Sequence, residues 1–499
     1  MKMFIKNIIF TAISQVILMI SGFVIPKIMV TIYGSEVNGL VTSINQVMTY
    51  LTLIEGGLSS ASIYALYKPL SKCDNDEING IVTATKKSYY KAGTLLTIAL
   101  VFIAFIYPLL IKTNKLTYFE VVFLFIIIGL STVIDFFVLA KYRALLSADQ
   151  RTYVISISTI FQTLISTAII WILSILNVNI VLVRLIALSS LIVRTLILLV
   201  YCKHKYPFLN SSSKPLPERL DKKWDALFLQ ILGAIHRGSP IIIATLLLSL
   251  NDVSIYSIYN MVLVGVSSIL SIFMNGLQSS FGDVLARGEV DVFKKAYKEF
   301  ETVFIVVATI LYSVTLITIL PFIKIYTANM DINYVFVNLA ILFTINEYLY
   351  CLKNPQGMIV MSAGLYKETK WQTFMQGLIC VVCSFIFCYF WGLKGILVGR
   401  ILSNIYRDID LLFFIPSRFN SLKVKDTFFK WMLSVLCFAL CGIFGLAINV
   451  DFVNSYIKWI IFAFIVFIVC GFAIGLCFFV FYKREIKSVF KRFIGILKK

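Results

Sequence analysis

Apolar runs about as long as a membrane is thick recur from one end of this 499-residue chain to the other. A helix needs about 20 apolar residues to cross the hydrocarbon core of a bilayer. Fourteen stretches qualify: 8–33, 37–66, 92–111, 118–142, 152–174, 178–201, 225–249, 253–280, 299–322, 334–362, 371–390, 394–416, 428–449 and 455–482. Length alone would suggest about three soluble domains. With 60% hydrophobic and 14% charged residues, too little polar sequence remains to coat them. A net charge of +20 would suit a nucleic-acid binder, but the mean hydropathy of +0.91 does not. The chain therefore reads as an all-α polytopic membrane protein with about 14 transmembrane helices.

The basic residues set its orientation. Lys2 and Lys6 precede the first run, which is too long for a signal peptide and is followed almost at once by a second span, so it is read as retained. With the N-terminus inside, the inner segments hold 32 of the 45 Lys and Arg residues, and the outer loops hold only Lys112, Lys115, Lys324 and Lys394. Cytoplasmic loops carry such an excess, so both termini are expected on the cytoplasmic side. No loop is long enough for a separate catalytic domain.

The segment 202–224 contains Ser211-Ser212-Ser213-Lys214-Pro215-Leu216-Pro217, a linker composition, between the sixth and seventh spans. Sequence on its two sides matches at an offset of 214 to 216: Gln15 with Gln230, Pro26 with Pro240, Val37 with Val253, and Arg184 with Arg400. Each match is weak, but together they indicate a repeat of six spans. An even-numbered repeat keeps its orientation, so two pseudo-symmetric lobes are expected, related by an axis along the membrane normal. The expected organisation is an N-lobe at 1–201, the linker at 202–224, a C-lobe at 225–420, and two further helices with a basic tail at 421–499.

Charged residues inside spans are the informative remainder. An Arg or Lys at a helix centre costs about 2.5–3.5 kcal/mol even on lenient insertion scales, so such residues face a cavity or a counter-charge. Lys430 and Lys458 lie near helix ends and can snorkel. Arg407 can pair with Asp410 three residues on. Arg194 and Lys353 can snorkel or find an acid. Lys27 follows Pro26, and Arg237 precedes Pro240, so the repeat puts two cations on corresponding helices. Arg184 and Arg400 form a second such pair. An anion held by Lys27, Arg237, Arg184, Arg400, Arg194 and Lys353 is one reading; local pairing with Glu55, Asp135 or Glu347 is the other. Those three carboxylates are also candidates for H⁺ or Na⁺ coupling. Pro26 and Pro240 remove helix hydrogen bonds and favour bends, and Gly56 and Gly57 can let helices approach or flex, so these four are hinge candidates.

The ten cysteines point to packing, because most lie in apolar runs and only His204 and His236 are available as imidazole partners for a metal. Asp74-Asn-Asp76 and Asp408-Ile-Asp410 match the D-x-D string of some sugar-nucleotide enzymes, a weak signal. No Walker A sequence is present. A transporter is expected, with no catalytic residue, metal or cofactor and no nucleic-acid partner.

Leu53-Ile-Glu55-Gly56-Gly57-Leu58, then Tyr64-Ala-Leu-Tyr67-Lys68-Pro69, resembles span two of bacterial polysaccharide flippases of the Wzx type. Ser254-Ile-Tyr256-Ser-Ile-Tyr259-Asn260, Gly276-Leu-Gln-Ser-Ser-Phe-Gly282-Asp283, and Asn354-Pro355 through Lys370 are similar to its second lobe. The resemblance covers most of residues 1–420. It implies the fold of the multidrug/oligosaccharidyl-lipid/polysaccharide (MOP) exporter superfamily and residence in a bacterial cytoplasmic membrane. It also implies a substrate: an oligosaccharide on undecaprenyl diphosphate, moved outward by alternating access with help from the membrane potential. Glycan polymerases and glycosyltransferases of the same pathway are implied partners. A MATE-like drug antiporter and, further off, a polysaccharide polymerase remain open at this point.

Overall fold

In hydrocarbon every backbone N–H and C=O must bond within the chain, and a helix does this inside each segment. The computed structural model describes residues 2–111, 113–210, 213–216, 223–365, 367–419 and 422–497. Lys112, Tyr366, Ser211, Ser212 and Pro217 of the linker, and the last two lysines of the tail lie outside the described residues. Among the described residues there is helix and no strand.

Each of the fourteen apolar runs is occupied by helix. Among the described residues, ten helices are long and apolar enough to cross a membrane by length and composition. The second, seventh, tenth and twelfth runs fall short of that measure. The second and tenth are each divided into two shorter helices, at Thr52 and at Lys353. Large side chains point outward in quantity, with Tyr389 83% exposed and Leu109 and Phe472 each 73% exposed. A water-soluble surface rarely offers this much contiguous apolar area; here it faces lipid. The chain is a multi-pass membrane protein.

By contact the chain divides into two units, residues 1–255 with 330–332, and residues 256–329 with 333–499. The first unit holds α1 (Lys2–Tyr33), α2 (Ser35–Leu51), α3 (Leu53–Lys72), α4 (Asn75–Leu110) and α5 (Tyr118–Ile134). A π-helical turn (Asp135–Leu139) leads from α5 into α6 (Ala140–Ala148). There follow α7 (Thr152–Ile175), α8 (Ile180–Ala187), α9 (Ser190–Lys205), α10 (Lys223–Leu247) and the first turns of α11 (Leu250–Ala286). Its core runs through Leu40, Ile44, Leu124, Phe125 and Val183, all buried. Here α10, the first helix expected in the C-lobe, packs on α2 and α3.

The second unit holds the rest of α11, then α12 (Val290–Tyr326), α13 (Val337–Leu352), α14 (Asn354–Ser362), α15 (Lys370–Trp391), α16 (Leu393–Arg418), α17 (Val424–Leu446) and α18 (Tyr456–Leu497). Tyr259 stacks on Phe343 at 5.2 Å between ring centres, with Tyr256 on the same ring at 4.9 Å. Helices α15 and α16 pack closely against each other. A Cβ on Gly395 would sit 1.9 Å from the Phe387 carbonyl oxygen, and one on Gly399 would sit 2.3 Å from the Ser384 backbone nitrogen. The spacing Gly395-x-x-x-Gly399 is the small-residue pattern that lets membrane helices meet backbone to backbone.

Helix irregularities fall at definite places. The second run breaks at Thr52, whose hydroxyl donates back to the Thr49 carbonyl at 2.9 Å. The tenth run breaks at Lys353, where Pro355 opens α14. The helices holding Pro26 and Pro240 run on past both prolines. Position 353 lies 214 to 218 residues beyond the π-helical turn at Asp135–Leu139, so the fourth span of each sequence repeat is irregular at matching depth. At the repeat position of the Thr52 break, α11 is unbroken.

Candidate functional site

In the first unit the structure gathers Glu55, Asp135 and Arg194 around Arg143. Arg143 bonds Glu55 and reaches Asp135 Oδ2 at 2.6 Å, while Arg194 lies 3.7 Å from Asp135 Oδ1. Arg194 also donates to Gln162 Oε1 at 3.2 Å. Glu55 sits just past the Thr52 break, and Asp135 opens the π-helical turn, a kind of irregularity frequent at functional sites. The extra residue of that turn helps Asp135 and Arg143, eight apart, share one face. From sequence Arg143 counted among the inner-loop cations; it is in fact the centre of an interior cluster. Arg194 does not snorkel, because Asp135 and Gln162 hold it.

These pairings take up Glu55 and Asp135 and leave other cations of the same unit. Among the described residues, Arg184 and Arg237 make no ion pair. Arg184 is half-buried on α8, and its Nε makes no hydrogen bond. Arg237 stands exposed on α10. Next to it Gly238 lets α10 meet α2, since a Cβ there would lie 2.0 Å from Gln46 Nε2. Lys27 is half-buried on α1. Helix α2 packs against both α1 and α10, the helices of Lys27 and Arg237.

In the second unit the cations are held by protein. Arg400, 3% exposed, pairs with Glu347 at 3.1 Å and donates to the Tyr256 hydroxyl at 2.7 Å. Lys353 neither snorkels nor pairs with Glu347: it is buried and donates to Asn404 Oδ1 at 2.7 Å. Arg407 pairs with Asp410 at 2.5 Å, the neighbour the spacing suggests. The difference between Arg184 and Arg400 is written in the sequence. At their 216-residue offset, the positions of Glu347 and Tyr256 in the first half are Ser131 and Leu40. Arg184 thus lacks both partners that neutralise its counterpart.

Lys430 corrects the snorkelling expectation. It is 1% exposed and bonds Glu301 at 2.9 Å. Glu301 also accepts from Tyr297 at 3.0 Å, Gln356 at 3.0 Å and Thr427 at 2.8 Å. Neither Glu301 nor Arg143 was singled out from sequence, because each lies near a run's end, where a charge can equally be solvated. Among the described residues no group of three or more His, Cys, Asp or Glu is placed to hold a metal ion. Cys380, Cys388, Cys437 and Cys470 are buried and form no disulfide.

The fold is that of a transporter superfamily. The chain superposes on the lipid II flippase MurJ in an inward closed conformation with a TM-score of 0.72 at 14% identity, covering 96% of this chain and 100% of that one. An inward-facing MATE multidrug resistance transporter of the MOP superfamily gives 0.68 at 13% identity, covering 82% and 98%. The MATE multidrug transporter DinF-BH gives 0.60 at 16% identity, covering 85% and 97%. A search of curated proteins finds no match. The sequence profile of the polysaccharide biosynthesis protein family matches residues 4–276, more than half of the chain. The chain belongs to that family and has the MOP fold.

Proposed function

We propose that this protein is a flippase. It carries an oligosaccharide linked to undecaprenyl diphosphate from the cytoplasmic to the outer leaflet of a bacterial cytoplasmic membrane, for cell-surface polysaccharide synthesis. Membership of the polysaccharide biosynthesis family and the fold it shares with MurJ support the substrate class. The observation that carries the reading is the uneven charge inventory of the first unit. Its interior carboxylates are taken by Arg143 and Arg194, and Arg184 and Arg237 have no carboxylate partner among the described residues. A diphosphate offers delocalised negative charge that guanidinium and ammonium groups bind well. Lys27, Arg184 and Arg237 are the proposed head-group contacts; Arg194, Arg400 and Lys353 act from within the protein's own networks.

Both termini are cytoplasmic in this reading, and the inside-negative potential assists export of an anion by about 2.3 kcal/mol per charge per 100 mV. A MATE-like antiporter for cationic drugs fits the same fold, but Glu55 and Asp135, the interior carboxylates of the first unit, are already paired with Arg143. Depletion of the protein should build up a lipid-linked oligosaccharide on the cytoplasmic side. A strain carrying Lys27→Ala with Arg237→Ala, at normal membrane levels, should show the same accumulation. Wild-type transport by that double variant would sink the anion site, and normal glycans with altered cationic-drug efflux would favour the antiporter.

A further inference from the structure

The second unit contains a buried carboxylate that makes no ion pair among the described residues. Of the charges that line this stretch of α16, Arg400 pairs with Glu347 and Arg407 with Asp410, which leaves Lys353 and Asp408. Lys353 is provided for by Asn404 Oδ1 at 2.7 Å and by the Tyr350 ring, whose centre lies 4.5 Å from Nζ. Asp408 is only 5% exposed, and its Oδ1 has no hydrogen-bond partner. Among the described residues it makes no ion pair either. An isolated carboxylate in such surroundings costs several kcal/mol, and binding a proton is the cheapest relief.

Asp408 also lies one helical turn beyond a continuous chain of polar contacts. Tyr256 accepts from Arg400, which pairs with Glu347. Glu347 accepts from Asn346 at 2.9 Å, and Asn404 donates to Asn346 Oδ1 at 3.1 Å. Asn404 accepts from Lys353, and Arg400, Asn404 and Asp408 follow one another at four-residue intervals along one face of α16. Each member is buried, so a change of charge at one end is felt along the network.

We propose that Asp408 is an intramembrane proton-binding site. One O–H bond forms at its carboxylate when a proton arrives and breaks when it leaves, taking the group from −1 to neutral with no redox partner. Lys353 is the fixed counter-charge that acts on it. The other charged groups on the elements packed against α16 are engaged elsewhere or exposed: Glu347 on α13 pairs with Arg400, Asp426 and Lys430 on α17 with Lys298 and Glu301, and Lys425 in the first turn of α17 is exposed. On α14 there is none, and on α15 the charged residue is Lys370, at its first position. A proton rather than a metal is the fitting ligand, because no metal-holding group is present among the described residues and the Lys353 ammonium would repel one.

The full-length protein, purified in detergent, is examined by infrared difference spectroscopy across a pH series, with aspartate ¹³C-labelled at the carboxyl. Wild type should show an isotope-shifted carboxylic-acid carbonyl band that appears as pH falls. Asp408→Asn and the apolar Asp408→Leu should both lose part of it. Lys353→Met, which removes the counter-charge, should retain that part and move its appearance to a proton concentration lower by about tenfold. Aspartates exposed to water give a labelled band in every variant, so the site is read as the part of the wild-type band that both Asp408 variants lack. Variants whose labelled band matches that of wild type across the whole pH series overturn the site. No substrate enters the measurement, so this result and that of the flippase reading stand or fall separately.

Discussion

At the residue scale, interior charges are decided by partners that the sequence places far away. Lys430 lies in a position where a long side chain can reach the membrane surface, yet it turns inward to Glu301, 129 residues earlier. Removing one member of a buried pair strands the other charge, which typically costs about 3–5 kcal/mol. Lys430→Met should therefore lower the thermal unfolding temperature of the detergent-solubilised protein sharply. Adding Glu301→Gln should restore most of the loss, since an uncharged amide still accepts from Tyr297 and Thr427. Equal destabilisation in the single and double variants would show that the charge is not what matters there. The same logic separates Arg184 from Arg400: one guanidinium has a carboxylate and a phenol, and the other has Ser131 and Leu40 at the matching repeat positions.

At the element scale, three places where helices stop being regular stand at or beside a charge. Glu55 follows the Thr52 break, Asp135 begins the π-helical turn, and Lys353 is itself the break before α14. Hydropathy sees each of these spans as one run, because a single residue with altered φ and ψ leaves the apolar count unchanged. Pro26 and Pro240, the obvious hinge candidates, lie within helices that continue past them. Hairpin packing was more legible: the Gly395-x-x-x-Gly399 spacing marks where α15 and α16 touch, and it was open to reading from sequence. Gly399→Val would drive two methyl groups into the Ser384 backbone. Overpacking of this kind costs about 3 kcal/mol, so the variant should show a markedly reduced yield of monodisperse protein on size-exclusion chromatography. A wild-type yield and melting temperature would mean that the two helices can part without penalty.

At the scale of the whole molecule, the charge of +20 has two origins. In the proposed orientation most of it lies in inner loops; a minority lies within spans. Green fluorescent protein fused after the last residue should fluoresce, because it folds in the cytoplasm and not after export through the general secretory route. A dark but membrane-inserted fusion would reverse the proposed orientation. The organisation into units is less direct. Contact places α10 with α2 and α3 in the first unit, although the linker and the repeat assign that helix to the second half of the sequence. A repeat records ancestry along the chain, whereas packing records which apolar faces meet.

The sequence by itself determined that this is a helical membrane protein, where its fourteen apolar runs lie, and the family features that a profile over residues 4–276 bears out. It could do so because hydrophobic length and basic asymmetry act locally, one segment at a time. Only the tertiary structure decided which charges are neutralised. Arg143 with Glu55, Lys430 with Glu301, and Arg400 with Glu347 and Tyr256 each join residues that are far apart along the chain. Electrostatic pairing inside a membrane acts over a few ångströms, and no spacing rule along the chain encodes it. What remains after those pairings, Arg184 and Arg237 on one side and Asp408 on the other, is where the proposed head group and proton bind.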